Sequence, residues 1–223
     1  MKEMGILIAK GNTAEVFEYE NHKVCKLFRT GYPREYVELE YRNAHVMYQE
    51  GLPVPMVYEI VERNSRCGII YERVQGESLY NLFLQDREAA FEKFIHTQRE
   101  FLKQESKELL SYKDFMMESM KRADFKGEDL IEKILKLPDG DSICHGDFHP
   151  GNVMVKADGT VVVIDFMNVC RGRWEYDVAR TYVILSEVDK GVADEYLLKF
   201  DVEYEQIAEY IDIVRKYRKF ELR

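Results

Sequence analysis

The stretch from Cys144 to Phe166 constrains the fold more than any other part of the chain. A polar loop, HGDFHPGN, runs into the apolar residues VMV; the turn KADGT follows, then a second apolar run that ends on Asp165 and Phe166. Two short apolar runs joined by a turn with Asp158 and Gly159 predict a β-hairpin. Ordinary turn chemistry explains that Asp and Gly. It does not explain polar side chains at the entry to the first strand and at the exit of the second.

The rest of the chain has enough apolar sequence to build a core around such a hairpin. Of 223 residues, 46% are hydrophobic, and 15 Tyr and 12 Phe argue against disorder. A net charge of −9 and the absence of any Lys/Arg-rich run exclude a general nucleic-acid binder. The acidity leaves room for a cationic small-molecule partner. Cys25, Cys67, Cys144 and Cys170 form no C-x-x-C pair and read as reduced thiols. The N-terminal run MKEMGILIAKG is too short for a signal peptide, and no segment reaches membrane-spanning length. A cytoplasmic protein without a membrane or nucleic-acid partner is expected, as a monomer or homodimer.

The first third reads as GILIAKG, AEVFEYE and HKVCKLFR, three strand-like runs with a turn at Asn21. Helical spacing follows: Val37, Tyr41, Ala44 and Tyr48 share one face, Gly51 can cap the end, and Pro53 forbids continuation. VPMVYEIVERN and CGIIYERV complete a five-strand pattern. From Gly76 the texture turns helical. Ser78 is placed to cap SLYNLFLQ. Residues 86–110 carry Phe91, Phe94, Ile95, Phe101, Leu102 and Leu109 on one stripe, helical sequence continues to Leu137, and helices are expected over 175–222. Two lobes are expected, 1–75 and 76–223.

In KVCKLF, Lys26 lies on a strand with apolar residues on both faces, so it is expected to point inward and to need an anion. The alternative is a lysine that snorkels from an edge strand.

The pattern H-G-D-x-x-P-x-N, followed by V-I-D-F with Asp165 eighteen residues after Asp147, resembles the catalytic loop and metal strand of aminoglycoside phosphotransferase-like kinases. That group includes choline-kinase-like enzymes and shares the protein-kinase fold. The resemblance runs from about Gly5 to about Arg180. It implies an α+β, bilobal protein kinase-like fold, with a five-stranded antiparallel N-terminal sheet and one helix, then a mostly helical lobe with a catalytic β-hairpin. It also implies ATP (with GTP possible) and Mg²⁺ as cofactors, and a hydroxylated, possibly cationic small molecule (an amine, sugar or antibiotic-like compound) as acceptor.

Phosphoryl transfer needs an oriented hydroxyl, an in-line γ-phosphate and cations on the phosphate oxygens. By resemblance, Asp147 would orient the hydroxyl, and Asn152 and Asp165 would supply oxygen ligands to Mg²⁺. Lys26, held by a helix glutamate, would contact the α/β-phosphates; Glu40 fits that glutamate, because Val37, Glu40, Ala44 and Met47 form one helical stripe, with Glu38 as the competitor. Gly11, Asn12 and Thr13 would offer donors to the β/γ-phosphates, although an ordinary hairpin turn explains that loop as well. Backbone groups of Glu72, Arg73 and Val74 would bind adenine, and Gly76 would let the chain turn into the second lobe. His145, Asp177 and Arg180 would brace the catalytic loop, and His149 is read as a variable loop residue. Nine acids between Ser186 and Asp212 read either as a surface for a cationic acceptor or as solvated helix faces.

Two rivals remain. A protein kinase would need a peptide-docking activation segment, and only eleven residues separate Asp165 from Asp177. A catalytically weak nucleotide-binding module would bind MgATP without transfer.

Overall fold

The computed structural model describes residues 4–221. The expected helical end at 222 and the first residues of the N-terminal run lie outside them. By Cα proximity the chain forms two compact units, one made of residues up to Glu77 together with Met154–Met167, the other of Ser78–Val153 and the residues from Asn168 onward.

In the first unit, β1 (Leu7–Lys10), β2 (Ala14–Tyr19), β3 (Lys23–Phe28), β4 (Val57–Arg63) and β5 (Arg66–Glu72) form an antiparallel sheet in the order β1-β2-β3-β5-β4. The tight hairpins demand left-handed backbone, and polar residues supply it: Asn21 and His22 adopt φ 56° and 59°, Asn64 and Ser65 φ 50° and 59°. One face of the sheet buries Cys25, Leu27 and Ile70, with Phe17, Tyr19 and Val61 against them. β3 lies between β2 and β5, so Lys26 does not snorkel from an edge.

Helix α1 (Arg34–Gln49) buries Val37, Glu40, Asn43, Ala44, Val46 and Met47. The expected Tyr41–Tyr48 face is displaced: Tyr48 is exposed, and the stripe carrying Glu40 is the one turned inward. The helix ends as a Schellman cap, with Gly51 N–H donating to the Tyr48 carbonyl at 3.1 Å and Leu52 N–H to Met47 at 3.1 Å. The hairpin of the opening motif is β8 (Val153–Lys156) and β9 (Val161–Val163), joined by β6 (Gly76–Ser78) into a three-stranded sheet. Gly76 therefore serves a close approach as well as a turn: a Cβ there would lie 2.4 Å from the Val155 carbonyl oxygen.

The second unit holds α2 (Leu79–Gln85), α3 (Arg87–Leu102), α4 (Tyr112–Arg122), α5 (Glu128–Lys136), α6 (Trp174–Val188), α7 (Lys190–Phe200) and α8 (Tyr204–Glu221). It also contains a two-stranded ribbon of β7 (Ser142–Cys144) and β10 (Cys170–Gly172). The structure departs from or adds to the sequence reading in three places. Ser78 stands at the N-cap of α2, but its side chain makes no capping bond. The helix expected over 86–110 stops at Leu102; Leu109 is buried from a loop whose Leu109 and Leu110 carbonyls bond to Arg171. β6, β7 and β10 are each three residues long, too short for alternation to reveal them.

Candidate active site

In the first unit, β3 and α1 bring together the residues expected to meet phosphate. Lys26 Nζ donates to Glu40 Oε1 and Oε2 at 2.8 and 3.0 Å, and to Asp165 Oδ1 at 2.9 Å. Glu40 is wholly buried and also accepts from the Tyr71 hydroxyl at 3.0 Å. Glu38, the competitor, is exposed and pairs with Arg34 instead. Burial alone would favour loss of the Lys26 proton, yet the carboxylates of Asp165 and Glu40 outweigh it and hold the ammonium above its ordinary range. Burial pushes the Glu40 carboxyl up against the opposing pull of Lys26, and burial with Glu40 beside it pushes the Tyr71 hydroxyl well up.

Asp165 follows β9 with φ 73°, a left-handed conformation that Asp tolerates better than most residues. Its side chain is 41% exposed although it is paired with Lys26. The next residue is tied to α1, because Asn43 Nδ2 donates to the Phe166 carbonyl at 3.0 Å.

The loop of Gly11, Asn12 and Thr13 is exposed, and its shape is set by a residue that sequence reasoning missed. Arg29 donates to the carbonyls of Asn12 at 2.5 Å and Gly11 at 2.8 Å. Nothing in the sequence marks it, since any surface Arg after a strand reads alike. In the segment expected to meet adenine, the Glu72 N–H donates to Met56 and the Arg73 N–H to His22, both at 2.8 Å.

In the second unit, Asp147 and Asn152 are held together. Asn152 Nδ2 donates to the Asp147 carbonyl at 2.9 Å and approaches Asp147 Oδ2 at 3.3 Å, which leaves the amide oxygen on the opposite side of the group. Asp147 N–H approaches Nδ1 of the fully buried His145 at 3.3 Å. Gly146 has φ 74°, and a Cβ there would lie 2.3 Å from the Asn168 carbonyl oxygen; only glycine fits. His149 is more than a variable loop residue. Its Nδ1 accepts from Gly151 N–H at 3.1 Å to cap the one-turn 3-10 helix Pro150–Asn152. That leaves its Nε2 as the protonated nitrogen, 3.8 Å from Asp147 Oδ2.

The family model for the phosphotransferase enzyme family matches residues 6–210. The chain belongs to that family. Solved structures agree on its kinase-like fold. The phosphotransferase is similar to aminoglycoside phosphotransferase APH(3'')-Id from Streptomyces rimosus, solved with ADP and streptomycin, at 16% identity and TM-score 0.65, covering 89% of this chain and 88% of that one. A thermostable mutant of APH(4)-Ia, in a ternary complex with AMP-PNP and hygromycin B, gives 16% and 0.66 over 98% and 84%. Choline kinase LicA from Streptococcus pneumoniae gives 15% and 0.63 over 98% and 84%. No curated protein sequence matches the chain.

Five of the nine acids in the run of the phosphotransferase are used within its own unit. Glu187 pairs with Arg218, Asp194 with Lys190, Glu195 with Arg87, and Asp212 with Lys133 and Lys216. Asp189 caps α7 through the N–H groups of Gly191 and Val192. All four cysteines are free thiols. Among the described residues, no helix is long and apolar enough to cross a membrane.

Proposed function

We propose that the chain is a MgATP-dependent O-phosphotransferase that moves the γ-phosphate to a hydroxyl of a small molecule. The observation that carries this reading is Lys26 Nζ held 2.9 Å from Asp165 Oδ1 and chelated from the other side by Glu40. A fixed cation beside a carboxylate suits a triphosphate with its metal, the cation for phosphate oxygens and the carboxylate for Mg²⁺.

The donor set fits the metal: Asp165 offers a hard carboxylate, and Asn152 an amide oxygen whose direction is fixed because its nitrogen is tied to Asp147. When bound, Mg²⁺ would neutralise charge on the phosphate oxygens. Lys26 would orient the α/β-phosphates, and Glu40 would keep its ammonium in place. Gly11, Asn12 and Thr13 would face the terminal phosphates from a loop shaped by Arg29. Base recognition by the main chain would fall to Val74 and the carbonyls of the segment, the Glu72 and Arg73 N–H groups being engaged. Asp147 would align the acceptor hydroxyl and take its proton as the oxygen attacks the γ-phosphorus and the bond to the β-phosphate oxygen breaks, releasing ADP. The lobes are assigned as 1–75 for nucleotide and 76–223 for catalysis and acceptor.

A MgATP-dependent phosphorylation screen over amino alcohols, sugars and aminoglycosides tests the reading. Transfer to at least one alcohol is expected. MgATP binding with no transfer to any alcohol, and no ATP hydrolysis above the Asp147→Asn level, would make it a nucleotide-binding module instead.

A further inference from the structure

Peptide groups on either side of Asp147 are held by one face of α6. Asp177 Oδ1 accepts from the Gly146 N–H at 2.7 Å, Arg180 Nε donates to the Gly146 carbonyl, and Thr181 Oγ1 donates to the Phe148 carbonyl at 3.0 Å. Residues 177, 180 and 181 have the i, i+3, i+4 spacing that places three side chains on one helical face. These three side chains therefore fix the backbone on both sides of Asp147, and with it the direction of its carboxylate.

The chain of contacts continues past α6. Gln98 of α3 donates through Nε2 to Asp177 Oδ2 at 2.9 Å and to Thr181 Oγ1 at 3.0 Å. Its Oε1 accepts from the hydroxyl of Tyr196, on α7, at 2.8 Å. Every bond in this array has one direction. An ionised Asp177 only accepts, so the amide nitrogen of Gln98 must face it and the amide oxygen must face Tyr196. Thr181 accepts from Gln98 and so has its proton free for Phe148. Gln98, Thr181 and Tyr196 are fully buried, and Asp177 is 1% exposed. Buried polar groups cost stability relative to apolar packing unless all are satisfied, and apolar residues would fill the same space. What this array does that apolar packing cannot is orient specific peptide groups of the loop.

We propose that Gln98 and Tyr196 are positioning residues for Asp147, acting through Asp177 and Thr181, so that α3 and α7 set the geometry of the catalytic loop. This rests on the phosphotransfer reading for its kinetic consequence, but not for its effect on the loop.

The test uses the full chain with two near-isosteric variants, Tyr196→Phe and Thr181→Val. Amide hydrogen exchange is followed in residues 144–152 and in α8, and kcat and KM for MgATP are measured alongside. Losing one hydrogen bond in the array should raise exchange of the loop by about tenfold, leave α8 unchanged, lower kcat by about tenfold and leave KM within about twofold. Loop exchange and kcat both at the wild-type level in the two variants would overturn the proposal. So would an equal loss of protection in α8, which would make the array general packing. If the wild type proves to have no transferase activity while loop exchange still responds, the phosphotransfer reading fails and the loop-positioning array stands.

Discussion

Lys26 reaches both oxygens of Glu40 and one of Asp165 from a single ammonium, at 2.8, 3.0 and 2.9 Å. The strand that carries Lys26, the helix that carries Glu40 and the turn that carries Asp165 are thereby fixed to one point. Removing Lys26 leaves a buried carboxylate and a part-exposed one side by side without their counter-charge.

Glu40→Gln and Glu38→Gln separate the two glutamates. Loss of the buried carboxylate should cost roughly 1–3 kcal/mol of unfolding free energy. Loss of the exposed Glu38 should cost less than about 0.5 kcal/mol. Urea denaturation of both variants gives the comparison, and equal costs would contradict the assignment of Glu40.

The pair also has an alkaline signature. The folded state holds the Lys26 proton above its ordinary value of 10.5. A raised lysine contributes stability that is fully present below that value and is lost as pH rises through the folded-state value. Wild type minus Lys26→Met, measured by denaturation across the alkaline range, should therefore give a difference that is flat up to pH 10.5 and shrinks only above it. A difference already shrinking near neutral pH would count against this.

How much of this was legible without coordinates follows from the kind of signal involved. Asp147, Asn152 and Asp165 were marked by their resemblance to the H-G-D-x-x-P-x-N and V-I-D-F motifs of aminoglycoside phosphotransferase-like kinases, and Lys26 by its place on a strand with apolar residues on both faces. Helical phase pointed to Glu40 because Val37, Ala44 and Met47 share its stripe, but Glu38 stayed open until the structure paired Lys26 with Glu40 and Glu38 with Arg34. Arg29, Gln98, Thr181 and Tyr196 were not legible. Each acts through a backbone carbonyl or another polar side chain far away in sequence, and such contacts leave no local pattern. The helix ending at Leu102 was overestimated for a related reason: Leu109 continues the apolar period but reaches the core from a loop.

Gly146→Ala would force a Cβ to within 2.3 Å of the Asn168 carbonyl oxygen at φ 74°. The cost should be at least about 2 kcal/mol, since neither the backbone strain nor the overlap can be relieved by a side-chain rotation. Thermal unfolding reads it directly. A variant as stable as wild type would show that the loop does not need this conformation.

Asp165→Asn keeps the shape of the group but removes its charge. Nucleotide affinity should lose most of its Mg²⁺ dependence, by about tenfold or more, while binding of the metal-free nucleotide changes little. Titration calorimetry with and without Mg²⁺ decides, and an undiminished metal dependence would remove Asp165 from the metal site.

The most direct measurement is single-turnover transfer of labelled γ-phosphate from MgATP to an accepted alcohol, comparing wild type with Asp147→Asn and measuring nucleotide affinity alongside. The account predicts that Asp147→Asn binds MgATP within about threefold of wild type and transfers at least about a hundredfold more slowly. Transfer by Asp147→Asn at the wild-type rate would contradict it.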